Sequence, residues 1–164
     1  MGHYYHIGEA LIAYEPADLS VEIAVTSIVG DPDARSKGVR EANWFNSGAT
    51  FFNDAIERAG LGELFFGGGW SSARQEYENC SEDFHRDRPL IGHAAPCASP
   101  ICQADLDLIR DALASWKAKL GPEAIAYDED SAPEGDEVLM LLEWLEYWFE
   151  RSLRTCKVPI FRYG

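Results

Sequence analysis

Positive charge is scarce in this chain of 164 residues: 14 Lys and Arg stand against 28 Asp and Glu, a formal net charge of -14 at pH 7. A phosphate-backbone binder needs clustered Lys and Arg to replace counterions, so nucleic acid is not an expected partner. Long apolar runs are missing as well. No stretch nears the ~18 apolar residues of a membrane span, and Met1-Gly2-His3-Tyr4-Tyr5-His6 offers neither the basic nor the apolar region of a secretion signal. The expectation is a cytoplasmic protein without a membrane partner; His6 also breaks the myristoylation pattern that Gly2 would begin.

Cysteines are few and unevenly spaced: Cys80, Cys97, Cys102 and Cys156. With 46% hydrophobic residues a core of ordinary size needs no staples, so free thiols are expected. Nucleophile signatures are absent too, since neither Gly-x-Ser-x-Gly nor a cysteine-protease pattern occurs. Carboxylates are plentiful, but no two stand out as an acid and base pair. No catalytic residue, metal or cofactor is assigned.

What is present begins with one segment, residues 134–156. Val138, Leu142, Leu145, Phe149, Ser152 and Cys156 recur at helical spacing with Leu141, Trp144 and Trp148 on the flank, leaving little of the circumference polar. Such a helix belongs in a core or against a partner. The remaining surface carries Glu143, Glu146 and Glu150, and no Lys or Arg lies between Lys119 and Arg151. These three glutamates are the candidate partner-binding residues, within an acidic surface around 128–150 that is expected to dock, in a salt-sensitive way, on a basic face of a host protein. If part of the apolar face, with Tyr147 among its aromatics, stays uncovered, a homodimer is the alternative use.

Upstream, Val21, Ile23 and Val25 alternate with Glu22, Ala24 and Thr26 as a half-buried strand does. Residues 3–14 are rich in Tyr, Ile and Leu, and Glu15-Pro16-Ala17-Asp18 supplies turn chemistry, so an antiparallel hairpin is predicted. Residues 30–38 read as an exposed loop. Asn46-Ser47 is a predicted cap for a helix over 48–59, ended by Gly60 in the left-handed region. A second helix over 104–120 carries Leu106, Ile109, Leu113 and Trp116 on one face and is closed by Gly121-Pro122. Residues 128–136 read as an acidic, turn-rich linker, and the tail from Val158 as an extended strand. The length fits one domain, 1–164, of α+β class: a small antiparallel sheet from the N-terminal hairpin, packed against about three helices.

Three local clusters carry further chemistry. Phe66-Gly67-Gly68-Gly69-Trp70-Ser71-Ser72 lets backbone N–H groups approach an anion at a helix start, with Arg74 adding charge and Trp70 a stacking face. It lacks the P-loop lysine and the third glycine of the dinucleotide fingerprint. His85, Arg86 and Arg88 place two guanidinium groups beside an imidazole, suited to phosphates and carboxylates. Gly68, Gly69, Trp70, Ser71, Arg74, His85, Arg86 and Arg88 thus form the candidate site for a nucleotide-like ligand. Cys80, His85, His93, Cys97 and Cys102 offer zinc-type donors, but without the two close ligand pairs of structural sites.

The blocks Gly60-Leu-Gly-Glu-Leu-Phe-Phe, Phe84-His-Arg-x-x-Pro-Leu, and Leu142-Glu-Trp-Leu-Glu-Tyr-Trp with Cys156-Lys-Val-Pro resemble small uncharacterised proteins encoded by bacteriophages and prophages. That resemblance implies a cytosolic accessory protein and, as a class, interference with bacterial defence. The expected function is therefore a non-enzymatic binding protein that blocks or sequesters a defence component, either a host protein or a nucleotide-like signal. Two alternatives stand beside it: a small metal-dependent hydrolase using the loop 80–102, and an immunity protein that neutralises a basic toxin.

Overall fold

A computed structural model of the chain describes residues 2–15, 20–25, 32–66, 98–157 and 159–163. Its centre is β1 (Gly2–Glu15), an unusually long strand that serves three neighbours. The second half of β1 pairs antiparallel with β2 (Ser20–Val25), in the register Ala10 to Val25 through Glu15 to Ser20, which is the predicted hairpin. Its first half pairs with β3 (Trp44–Gly48), and Tyr5 to Glu9 pair with β5 (Pro159–Tyr163). β4 (Ala98–Pro100) adds to the far edge of β5, so the extended tail expected from the sequence is a central member of a five-stranded antiparallel sheet.

Among the described residues five helices accompany this sheet: α1 (Pro32–Ser36), α2 (Ala49–Arg58), α3 (Gly62–Phe66), α4 (Gln103–Leu120) and α5 (Glu137–Thr155). The α+β class follows directly. α2, α4 and α5 are the three predicted helices within a few residues of their expected ends. Gly60 has φ 77° and donates its N–H to the Glu57 carbonyl, while Leu61 donates to Ile56, the paired bonds that end a helix on a glycine.

Two expectations are corrected. Residues 30–38 are not simply an exposed loop: Pro32 opens α1, where the missing N–H of proline costs nothing, and Ala34 is fully buried. Asn46 and Ser47 do not cap α2; they lie in β3 opposite Tyr4 and His3, and the chain passes from strand to helix without a loop.

α5 is the pillar of the core. Val138, Leu142, Trp144, Leu145, Trp148, Phe149 and Ser152 are buried, and the sheet side of the helix meets an aromatic cluster. Tyr5 stacks on Phe52 with centroids 4.0 Å apart, Phe161 stands edge-on to Phe65 at 5.5 Å, and Phe149 lies 6.2 Å from Phe161. On its other side α4 packs Leu106, Ile109 and Trp116 inward, all buried. Trp144 and Trp148, one turn apart, donate their indole N–H groups to the carbonyls of Ala42 and Arg40 at 2.8 and 3.2 Å. Asn43, 1% exposed, completes the attachment of that loop: its side-chain amide donates to the Ile7 carbonyl, and Ile7 N–H donates to the Asn43 carbonyl. Because α5 spends its aromatic face inside the chain, the uncovered apolar face that a dimer through this helix requires is not found among the described residues. No helix of the described residues is long and apolar enough to cross a membrane.

Candidate functional site

The acidic residues of the C-terminal third fall into two groups with different surroundings. Glu143, Glu146 and Glu150 lie on α5 where it meets α4. Arg110 reaches Glu146 at 2.9 Å, Lys117 reaches Glu143 at 3.5 Å, and Arg154 reaches Glu150 at 3.1 Å one turn along the same helix. All three carboxylates are half-covered, and each already has an intramolecular cation. Pairs of this kind contribute ~0.2–1 kcal/mol each, so the two that cross between the helices, Arg110–Glu146 and Lys117–Glu143, register α4 on α5 more than they stabilise it.

The second group sits in the connection between α4 and α5. This segment is not a slack linker. Asp128 N–H donates to the Ala132 carbonyl at 3.0 Å, Ala132 N–H returns the bond at 2.8 Å, Tyr127 N–H donates to Asp136 at 3.0 Å and Asp136 N–H donates to Ile125 at 2.8 Å. The Asp128 carboxylate accepts from the Asp130 N–H at 3.0 Å and from the Ser131 hydroxyl. Those bonds, the Ser131 hydroxyl first, hold the Asp128 carboxyl below the usual carboxylate range. Gly135 closes the turn against the Ala126–Tyr127 peptide, where a Cβ would fall onto the Ala126 carbonyl and the Tyr127 nitrogen.

From this frame Glu129, Asp130 and Glu134 project into solvent, with Glu123 and Glu137 exposed at either end. Among the described residues none of these five forms an ion pair. Arg35 and Arg40 line the same groove as Asp128, Glu129 and Asp130, and Arg35 is paired with Glu41 at 3.5 Å; elsewhere Lys119 lies 4.8 Å and Arg58 5.7 Å over the Trp116 ring, Lys37 5.4 Å over Tyr147 and Arg151 6.0 Å over Trp148.

Two depressions border the turn. One, of about 490 Å³, runs between Asp128, Glu129 and Asp130 on one side and Arg35, Arg40 and Glu41 on the other. The other, of about 560 Å³, opens at the end of α4 and has small apolar walls, with Leu139 in its lining. Ala126 and Glu143 line both, so the acidic groove and the apolar cleft adjoin across a shared wall.

The predicted ligand residues Gly68, Gly69, Trp70, Ser71, Arg74, His85, Arg86 and Arg88 lie outside the described residues, as do Cys80, His93 and Cys97. Cys102 is described: it is buried at the N-cap of α4, its backbone N–H donating to the Asp105 carboxylate at 3.0 Å. Cys156 is a free thiol at the C-cap of α5. Among the described residues no group of three or more His, Cys, Asp or Glu side chains is arranged to hold a metal ion. The sequence reading included the acidic turn in a docking surface spanning 128–150 but took it for a linker rather than a hydrogen-bonded frame, and it passed over Leu120 and Ile125, which are 36% and 59% exposed. The available signal was that Ile125 follows a helix stop and precedes a carboxylate run.

Comparison with family models, with curated proteins and with solved structures finds no match.

Proposed function

We propose that the chain is a non-enzymatic, phage-type binding protein that docks its acidic turn on a basic bacterial protein and thereby blocks or sequesters a component of defence. The observation that carries this reading is the division of the carboxylates. Glu143, Glu146 and Glu150 on α5 are paired internally with Lys117, Arg110 and Arg154, whereas Glu129, Asp130 and Glu134 project from a hydrogen-bonded turn and, among the described residues, form no ion pair. A turn already fixed by its own bonds loses little entropy on association, and a surplus of charge of one sign steers a partner of the other. An immunity protein that neutralises a basic toxin would use the same surface and differs only in the partner.

The test is affinity capture from a bacterial extract with the wild-type chain and with the triple variant Glu129→Gln, Asp130→Asn, Glu134→Gln, at about 0.05 M and about 0.5 M salt. A basic protein held by the wild type at low salt, released at high salt and lost in the folded variant is the expected result. Capture that ignores both salt and the variant, or turnover of nucleotides, peptides or esters by the purified chain, would overturn the reading.

A further inference from the structure

We infer that the apolar cleft at the end of α4 seats a bulky apolar side chain of the partner, carried on a basic amphipathic segment whose Lys and Arg groups meet the adjoining carboxylates. The inference rests on the acidic-turn reading and specifies what that turn would hold. Ala118, Pro122, Ala124 and Ala126 form small walls around about 560 Å³, with Leu139 among the lining residues. Alanine walls leave room for a side chain from outside, and Leu139, only 3% exposed, presents an apolar surface continuous with the core. Leu120 and Ile125, next in the chain to the lining residues Gly121 and Ala126, are exposed, the latter at 59%.

The charge of the occupant follows from what touches the cleft. Lys117 at its edge is paired with Glu143. Across Ala126 and Glu143 the cleft adjoins the groove, which carries the carboxylates of Glu41, Asp128, Glu129, Asp130 and Glu143 against the guanidinium groups of Arg35 and Arg40. Arg35 is itself paired with Glu41 at 3.5 Å. The surroundings are therefore negative on balance, which disfavours a second copy of a chain with net charge -14 and favours a basic segment.

The experiment uses two synthetic peptides of equal charge: one with Lys on one helical face and Leu on the other, and its counterpart with Ser in place of every Leu. Both are titrated calorimetrically into the full chain, into Ala118→Phe, whose ring fills the cleft from an exposed helical position, and into the triple turn variant. The Lys/Leu peptide is expected to bind about 10-fold or more tighter than the Lys/Ser peptide, as burying one Leu-sized side chain supplies. Ala118→Phe should erase that difference while leaving salt-dependent binding of both peptides, and the turn variant should weaken both. Equal affinities, or a preference that survives Ala118→Phe, overturn the cleft and leave the acidic-turn reading standing. Failure of either peptide to show salt-dependent binding to the wild type overturns both. A self-association that sedimentation detects and Ala118→Phe abolishes would make a second copy the occupant and overturn the inference.

Discussion

Trp116 donates its indole N–H to Asp136 at 2.9 Å, and the same carboxylate oxygen accepts the backbone N–H of Leu139 at 2.7 Å. One side chain thus caps α5 and ties its first turn to α4. Asp136 also ends the acidic turn through its backbone bonds to Ile125 and Tyr127, so helix packing and the shape of the proposed docking surface share an anchor.

Asp136→Ala should therefore cost about 2 kcal/mol, from the lost cap and from the stranded Trp116 N–H together. Thermal unfolding followed by circular dichroism should show a midpoint lower by roughly 4–8 °C. Asp136→Asn, which keeps an acceptor in place, should recover most of the loss. An unchanged midpoint for the alanine variant would contradict the anchoring role.

Gly135→Ala has no room for its methyl group, because the obstacle is the Ala126–Tyr127 backbone rather than a movable side chain. The expected cost is about 1–3 kcal/mol in a urea titration, with faster hydrogen exchange at the amides of Asp128 and Ala132. Exchange unchanged at those two amides would show that the turn is not closed at Gly135.

Trp144→Phe keeps most of the buried ring but leaves the Ala42 carbonyl without its donor. A loss of about 1–3 kcal/mol is expected, accompanied by faster exchange in residues 39–43, which the two indoles hold against α5. Loss of stability without any local change in that loop would mean that the ring volume, not the hydrogen bond, sets the effect.

Two groups give the stability opposite pH dependences. Burial pushes the Cys156 thiol up, and the neighbouring Glu9 carboxylate adds to it. The folded state then prefers the protonated thiol, so its contribution is complete below the ordinary thiol value of about 8.5 and is lost as pH rises through the higher folded value. Thiol titration near pH 8 should label Cys156 more slowly in the folded chain than in urea. Asp128 behaves in the opposite sense: its lowered folded value makes its contribution present above the ordinary Asp value of about 3.9 and lost as pH falls through the folded one. Exchange at Asp130 and Ala132 should accelerate only in that acidic range.

The helices and the hairpin were legible because their signals are local. The 3.6-residue recurrence from Val138 to Ser152 marked α5, the alternation from Val21 to Val25 marked β2, and Gly60 marked the end of α2. The misses come from choices that local chemistry leaves open. Pro32 can end a segment or begin a helix, and the buried Ala34 settles it for α1; Asn46 and Ser47 can cap or extend, and pairing with β1 settles it for β3. The candidate partner face was read from Glu143, Glu146 and Glu150 because they share one side of a helix. That Arg110 and Lys117 lie opposite two of them depends on how α4 docks, a non-local fact that spacing on α5 does not contain.

The two carboxylate groups make the most direct comparison. Partner affinity and thermal stability should be measured side by side for Glu143→Gln, Glu146→Gln, Glu150→Gln and for Glu129→Gln, Asp130→Asn, Glu134→Gln, each triple removing the same charge. The account predicts that the turn variant loses affinity for the captured basic protein at unchanged stability, while the helix variant keeps most of its affinity and unfolds at a lower temperature. A helix variant that loses the partner while the turn variant retains it would contradict the account and return the docking surface to α5.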